Sequence, residues 1–262
     1  MLKCSQMRVL ILGTGTSTGV PAIGCKCPVC TSNNPKNKRL RPSVLVETKG
    51  ASILIDTSPD LRQQALAYGI TRIDAVLYTH AHADHVHGID ELRSFNFIQG
   101  APIPVYGNRE TMERVRLLFD YIFQGGPGEG GGKPMIDINV IDGPFEVAGA
   151  HVEPLEVFHG TMQILAYRIG NFAYLTDVSH IPEKAMERIK GLEVVVLDAL
   201  RYKPHPTHMN IEQAIEAARE IGAGRTLFTH FSHAVDYGEA QKMLPPGMEP
   251  AYDGLEIQLE DE

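Results

Sequence analysis

Between Thr79 and His85 the chain reads Thr79-His80-Ala81-His82-Ala83-Asp84-His85, which places three imidazoles and one carboxylate within six consecutive positions. Neutral imidazole nitrogens and carboxylate oxygens are the donors that a divalent ion such as zinc or manganese takes. Two histidines at i and i+4 of a helix would suit a single ion. The pattern His80-x-His82-x-Asp84-His85 packs four donors into a loop, enough to start two sites. The alternative is a chance His-rich turn on the surface, and the rest of the chain argues against it. Four apolar, strand-like runs end in a further donor: Leu54-Ile55 in Asp56, Val157-Phe158 in His159, Phe172 to Thr176 in Asp177, and Arg225 to Thr229 in His230. A strand that finishes in a donor sets it at one edge of a sheet, where several strands can converge on one cleft.

These residues together resemble the five motifs of the metallo-β-lactamase superfamily, and the resemblance covers nearly the whole chain. It implies an α/β fold, the αββα sandwich of that superfamily, as a single domain over residues 1–262. It also implies that His80, His82 and His159 hold one divalent metal (manganese or zinc), that Asp84, His85 and His230 hold a second, and that Asp177 bridges the two. Asp56 would orient the His-rich loop without binding metal.

Two further segments, Gly24-Cys25-Lys26-Cys27-Pro28-Val29-Cys30 and Thr229-His230-Phe231-Ser232-His233, look like the cyclic-phosphate phosphodiesterases of the carbon–phosphorus lyase pathway. That resemblance implies a knuckle at 24–30 in which Cys25, Cys27, Cys30 and His233 hold one structural zinc. Cys₃His is a closed tetrahedral set with no position left for substrate. Disulfides or plain reduced thiols are the alternatives. Three cysteines within six residues, with only Cys4 elsewhere, make a poor disulfide framework. The same family carries a catalytic histidine that is not a ligand, and His208, in Pro204-His205-Pro206-Thr207-His208, matches its position. His208 and Asp84 are thus the expected catalytic residues.

The elements that must position these donors alternate between strand and helix. Met7 to Leu12 reads as a buried first strand, opening into a Gly/Thr-rich loop over Gly13 to Gly19. That loop lacks the spacing of a dinucleotide fingerprint. Ser43 to Glu47 and Ser52 to Ile55 read as a hairpin around Lys49-Gly50. Ser58-Pro59 reads as a helix start and Gly69 as its stop. Glu110 to Phe123 carries Met112, Val115, Phe119 and Ile122 at helical spacing. Leu192 to Leu197 is a further buried strand, and Asn210 with Gln213 reads as a capping box for a helix ending before Gly222. The stretch 124–133 holds six glycines and too little apolar surface to pack, so it reads either as a slack connection or as a lid. His87 reads as a packing group behind the ligand loop, and His205 as a solvated loop residue. His151 and His180 have no assigned role.

At 262 residues with 43% hydrophobic content, the chain is long enough to bury a full core. A net charge of −8 disfavours non-specific nucleic-acid binding. Met1 to Ser5 lack an apolar signal-peptide core and no segment approaches the length of a membrane span. With a thiolate metal site, a reducing cytoplasm is the expected compartment. The expected partner is a small phosphorylated substrate, with neither membrane nor nucleic acid, and a homodimer is left open. The resemblance implies hydrolysis of a phosphodiester, specifically a phosphoribosyl 1,2-cyclic phosphate. Competing readings on the same metals are a tRNA 3′-end endonuclase, which would need a basic RNA-binding arm, and a lactone or thioester hydrolase. A reading of another class is a non-hydrolytic role in pyrroloquinoline quinone biosynthesis, where a superfamily member also carries a cysteine knuckle.

Overall fold

The computed structural model describes residues 6–124 and 132–260. Most of the Gly-rich stretch at 124–133, and with it the question of a lid, lies outside the described residues, as does Cys4. Strands β1 (Gln6–Gly13), β2 (Ser43–Thr48), β3 (Ala51–Ile55), β4 (Ala75–Leu77), β5 (Ile103–Gly107) and β6 (Ile136–Val140) build the first sheet. Strands β7 (Phe145–Val147), β8 (Ala150–His159), β9 (Met162–Ile169), β10 (Phe172–Leu175), β11 (Val194–Asp198), β12 (Arg225–Thr229) and β13 (Met248–Pro250) build the second. β14 (Glu256–Glu260) then returns to the first sheet and pairs antiparallel with β1. In the first sheet β3 to β6 run parallel, and in the second β10 to β13 do.

The apolar strands are buried on both faces, so alternate residues serve two different cores. Met7, Val9 and Ile11 point between the sheets, where they meet Tyr167, Tyr174 and Leu227. Leu10 and Leu12 point the other way, onto Leu61, Leu92, Phe95, Met112 and Val115 of the helices that cover the first sheet. In β11, Val194 and Val196 face inward, whereas Val195 and Leu197 meet helical Met186, Ile189, Ala214 and Ala218. The layers are therefore helix, sheet, sheet, helix in one domain, the αββα sandwich expected above.

Local signals held where their chemistry is self-contained. Lys49 and Gly50 both take positive φ (49° and 81°), the twist that a two-residue hairpin needs. The helix Ile211–Ile221 has its reciprocal Asn210–Gln213 capping box and a left-handed Gly222. Two boundaries moved. The helix after Ser58 begins only at Leu61, because the Ser58 hydroxyl donates to Gln64 Oε1 (3.1 Å) and accepts from the Asp60 amide (3.2 Å). Gly88 presses on the same turn so closely that a Cβ there would sit 2.0 Å from the Ser58 carbonyl oxygen. The expected helix over Glu110 to Phe123 is two pieces, Arg109–Leu118 and Asp120–Phe123, broken where Phe119 takes φ −121° and ψ 41°. Phe119 and Ile122 still pack on the same core, so the apolar spacing survives the break.

Candidate metal centre

The donors gather where strands of both sheets end. Asp56 follows β3, Thr79-His80 lies just beyond β4, and His159 closes β8. Asp177 lies two residues past β10, Asp198 ends β11, and His230 follows β12. Asp56, Asp177 and His230 each adopt a left-handed backbone, with φ of 62°, 61° and 61°. For a non-glycine residue this conformation is disfavoured by about 1–2 kcal/mol, and such strain concentrates at functional sites. It is held in place by hydrogen bonds on either side, among them Asp56 N to the Leu77 carbonyl (2.9 Å) and Phe231 N to the Thr14 carbonyl (2.8 Å).

Two donor groups result. His80, His82 and His159 form one, and Asp84, His85, Asp177 and His230 form the other, each with donor atoms mutually within 4.8 Å. Asp177 also lies within that reach of His159, so it spans the two groups. His85 Nε2 stands 3.2 Å from Asp177 Oδ2 and 3.4 Å from Asp84 Oδ2. His230 Nε2 stands 3.2 Å from Asp177 Oδ1 and 3.7 Å from Asp84 Oδ2. A tetrahedral ion with bonds of about 2.0–2.1 Å needs neighbouring donors about 3.3 Å apart. All these residues are buried except His82, which is exposed.

The surroundings aim the rings. His159 Nδ1 donates to the Thr207 carbonyl at 2.7 Å, which leaves Nε2 with the lone pair. Gly160 makes room for that contact, since a Cβ there would come within 2.8 Å of Thr207 Cγ2. Asp56 accepts from the Thr79 amide (2.9 Å) and hydroxyl (2.9 Å) and lies 2.7 Å from His85 Nδ1, the orienting position expected of it. Yet Nε2 of His80, His85 and His230 are buried with no hydrogen-bond partner among the described residues. Buried polar atoms are rarely left so. Burial pushes the His80 imidazole well below its usual range and His159 down to about 4, which keeps both rings neutral and able to coordinate. Burial would by itself raise the Asp177 carboxyl, but its neighbours His230 and His85 hold it well below the usual carboxylate range. Orphaned nitrogens beside ionised carboxylates fit divalent cations, and this His/Asp cluster is a metal-binding one.

The cysteine knuckle is also assembled. Cys25, Cys27 and Cys30 Sγ lie 3.2, 3.6 and 3.7 Å from His233 Nδ1. With zinc–sulfur bonds of 2.3 Å and a zinc–nitrogen bond of 2.0–2.1 Å, a tetrahedral edge is about 3.6 Å. The sequence builds this cup locally. Pro28 starts a one-turn helix, and the Cys27 sulfur caps it by accepting from the Cys30 amide (3.4 Å), which helps pull the Cys27 thiol down to about 6. All three thiols are free. The segment from His230 to His233 links the two clusters. It is tied down by Thr16 N to the Phe231 carbonyl (3.1 Å), Ser232 N to the Leu200 carbonyl (2.9 Å) and buried Arg39 Nη1 to the Ser232 carbonyl (3.2 Å).

His208 is buried beside both donor groups. Its ring stacks on His230 (4.9 Å, 16°) and meets His159 edge-on at 4.6 Å. Its Nδ1 lies 3.2 Å from Asp198 Oδ2. Sequence reasoning missed Asp198, although it ends an apolar strand just as the recognised donors do. Asp198 also approaches His230 Nδ1 (3.7 Å), so it backs both rings. The Gly13–Gly19 loop lies against the site through the Gly15–Phe231 bridge, and half-buried Asp253 holds it by accepting from the Thr14 amide (2.9 Å) and hydroxyl (2.7 Å). His87 is exposed and packs on Phe119 (5.5 Å), so it does not support the ligand loop. The half-buried His205 bonds Thr207 (3.2 Å), His151 pairs with Glu146 (2.7 Å), and His180 rests on Phe158 (6.0 Å).

Residues 51–231 match the family described as Beta-lactamase superfamily domain. The crystal structure of a diphosphatase from the PhnP family is 43% identical, covering 97% of this chain and 98% of that one, with a TM-score of 0.91. Zinc-bound PqqB from Methylobacterium extorquens shares the fold at 23% identity, over 96% and 100% of the two chains, with a TM-score of 0.76. An octanoyltransferase of Porphyromonas gingivalis is 42% identical over 260 residues, 97% of this chain. The chain spans about half of that protein's length, 52%.

Proposed function

The chain belongs to the β-lactamase superfamily, and from that premise we propose that it is a dinuclear metal-dependent phosphodiesterase. The observation that carries this reading is the pair of donor groups sharing Asp177, with His208 stacked on His230 and held by Asp198. His80, His82 and His159 would hold one cation, and Asp84, His85 and His230 the other. A bound pair of divalent ions supplies Lewis acidity toward a water nucleophile and charge neutralisation for phosphoryl oxygens. The protein's own part is to orient and to move a proton. The Asp198 carboxylate would accept from His208 Nδ1 and fix the ring, leaving Nε2 as its proton-carrying atom. From there His208 can deliver a proton to a departing alkoxide. Asp84 would serve both as ligand and as a catalytic carboxylate. The Cys₃His cluster would hold a structural zinc and anchor the strap that bears His230.

The likeness to the PhnP-family diphosphatase supports a phosphoryl centre, and the family resemblance suggests a phosphoribosyl 1,2-cyclic phosphate as substrate. A tRNA endonuclease would need a basic arm, and a chain of net charge −8 offers little to recruit one. The complete donor set favours hydrolysis over a non-hydrolytic role of the PqqB kind. The octanoyltransferase name describes a protein twice as long, whose other half can carry that activity.

His208→Ala tests the proton step. The variant should keep its full metal content and lose about 10²–10⁴-fold in rate on an alkoxide-leaving diester. The loss should shrink on bis(4-nitrophenyl) phosphate, whose phenolate departs unprotonated. Asp198→Asn should follow the same pattern more mildly. Since His208 also lies within reach of His159 and Asp177, a loss of metal in His208→Ala would make it a ligand instead. Equal losses on both substrates would make it a phosphate-binding group.

A further inference from the structure

The rings that follow His82 across the centre come in the order His159, His208, His205, with centroids 5.2, 4.6 and 5.1 Å apart. Metal donors occupy one end of this row, and His205, which the proposed reaction leaves unused, stands at the other. A cleft of about 480 Å³ opens at the His82 end. It lies between His80, Met162 of β9 and a face of the helix Arg109–Leu118 that carries Glu110, Glu113 and Arg114. The His205 end differs in charge. Its segment, Arg201-Tyr202-Lys203-Pro204-His205-Pro206-Thr207-His208, carries one guanidinium, one ammonium and two imidazoles. No carboxylate pairs with Arg201 or Lys203 among the described residues.

This segment is built rather than slack. Arg201 folds back on its own turn, its Nε donating to the Lys203 carbonyl (3.2 Å) and its Nη2 to the Pro204 carbonyl (2.9 Å). Pro204 and Pro206 fix the backbone on either side of His205. The half-buried His205 ring is itself oriented, since its Nδ1 accepts from the Thr207 amide (3.4 Å) and lies 3.2 Å from the Thr207 hydroxyl. An amide N–H can only donate, so the ring proton sits on Nε2. That N–H has no hydrogen-bond partner among the described residues. Thr207 also takes the His159 Nδ1 proton on its carbonyl (2.7 Å), so one residue sets both rings.

The substrate proposed above carries two phosphates, one reacting and one not. The reacting group belongs at the cations, and its leaving oxygen must lie against His208 to be protonated. The sugar bearing that oxygen is then held beside His208. Of the three rings that touch His208, those of His159 and His230 belong to the metals, which leaves His205 for the sugar's other end. Bound cations attract a second phosphate from either end of the row, so the side chains of the rim decide where it rests. Two carboxylates line the rim at the His82 end, whereas a preset N–H donor and a guanidinium stand at the other. We propose that His205 and Arg201 form a subsite for the second, non-reacting phosphate, His205 Nε2 donating to it and Arg201 holding the turn and supplying charge. The assignment rests on the phosphodiesterase reading for where the sugar lies.

Calorimetry on the metal-loaded protein tests the subsite without turnover. Ribose 1,5-bisphosphate should bind roughly ten- to a hundredfold more tightly than ribose 1-phosphate, the worth of a hydrogen bond to a charged group. His205→Ala should keep its metal and narrow that ratio about tenfold. His205→Gln, whose amide can still donate, should restore part of it. Kinetics should agree. Phosphoribosyl 1,2-cyclic phosphate should exceed ribose 1,2-cyclic phosphate in kcat/KM by a similar factor, and the loss in His205→Ala should fall on KM for the phosphorylated substrate. Equal affinities in the parent protein, or a ratio that His205→Ala leaves unchanged, would overturn the inference. If that variant loses metal through Thr207 and His159, Arg201→Gln decides in its place. It should narrow the same ratio, and a ratio it leaves unchanged would overturn the subsite. Should no diester turn over, the phosphodiesterase reading fails, and the binding ratio still decides what His205 and Arg201 hold.

Discussion

His230→Ala is expected to lose more than about 10²-fold of hydrolytic activity while melting close to the parent protein. Replacing a residue that merely supports a ligand typically lowers metal affinity or activity 10–100-fold, and removing a ligand should exceed that. The fold should tolerate the change because His230 lies outside the apolar clusters that form the core. Both ring nitrogens are buried without a hydrogen-bond partner among the described residues, so truncation removes two unsatisfied polar atoms along with the ring. The left-handed backbone at this position disfavours histidine and alanine alike. Metal analysis should show one of the exchangeable ions lost or loosened. A variant with full metal and near-parent rates would remove His230 from the centre.

Three residues on, His233→Ala should do the reverse. Free energy of metal binding at a closed site is free energy of folding, and in isolated zinc-finger peptides it reaches about 10–16 kcal/mol. In a domain with its own large core only part of that is felt. A loss of about 3–5 kcal/mol would lower Tm by roughly 10 °C, at 2–4 °C per kcal/mol for chains near this size. Cys27→Ser should behave alike, since it removes a thiolate donor while its hydroxyl can still cap the Pro28–Thr31 turn. Residual activity at low temperature should outlast that of His230→Ala. Equal melting temperatures for His230→Ala and His233→Ala would contradict this division, as would a Cys27→Ser protein with unchanged zinc and unchanged Tm.

The donors were legible because each is a costly residue type at a costly place, a histidine or aspartate directly after an apolar run. The same rule covers Asp198, which ends Val194–Asp198 in the same way and was passed over for want of a motif around it. Sequence alone could not separate His230 from His233, which sit in one short run. Their assignment came from family resemblance, and the 3.2 Å from Cys25 Sγ to His233 Nδ1 across more than two hundred residues is a tertiary fact. The break at Phe119 was hidden because Phe119 and Ile122 keep the helical apolar spacing on both sides of it. The cleft beside His82 was hidden for a different reason. It joins a helix face of the first half to Met162 of the second sheet, and no local pattern records that meeting.

The most direct measurement is a metal titration of chelator-treated protein, with hydrolysis of bis(4-nitrophenyl) phosphate followed at each step. One zinc per chain should survive mild chelation, held by the thiolate set, while activity disappears with the ions of the harder, more weakly held His/Asp set. Adding back manganese or zinc should restore the rate in full at two equivalents per chain. Activity that persists after chelation, or a plateau at one equivalent, would contradict a dinuclear phosphodiesterase.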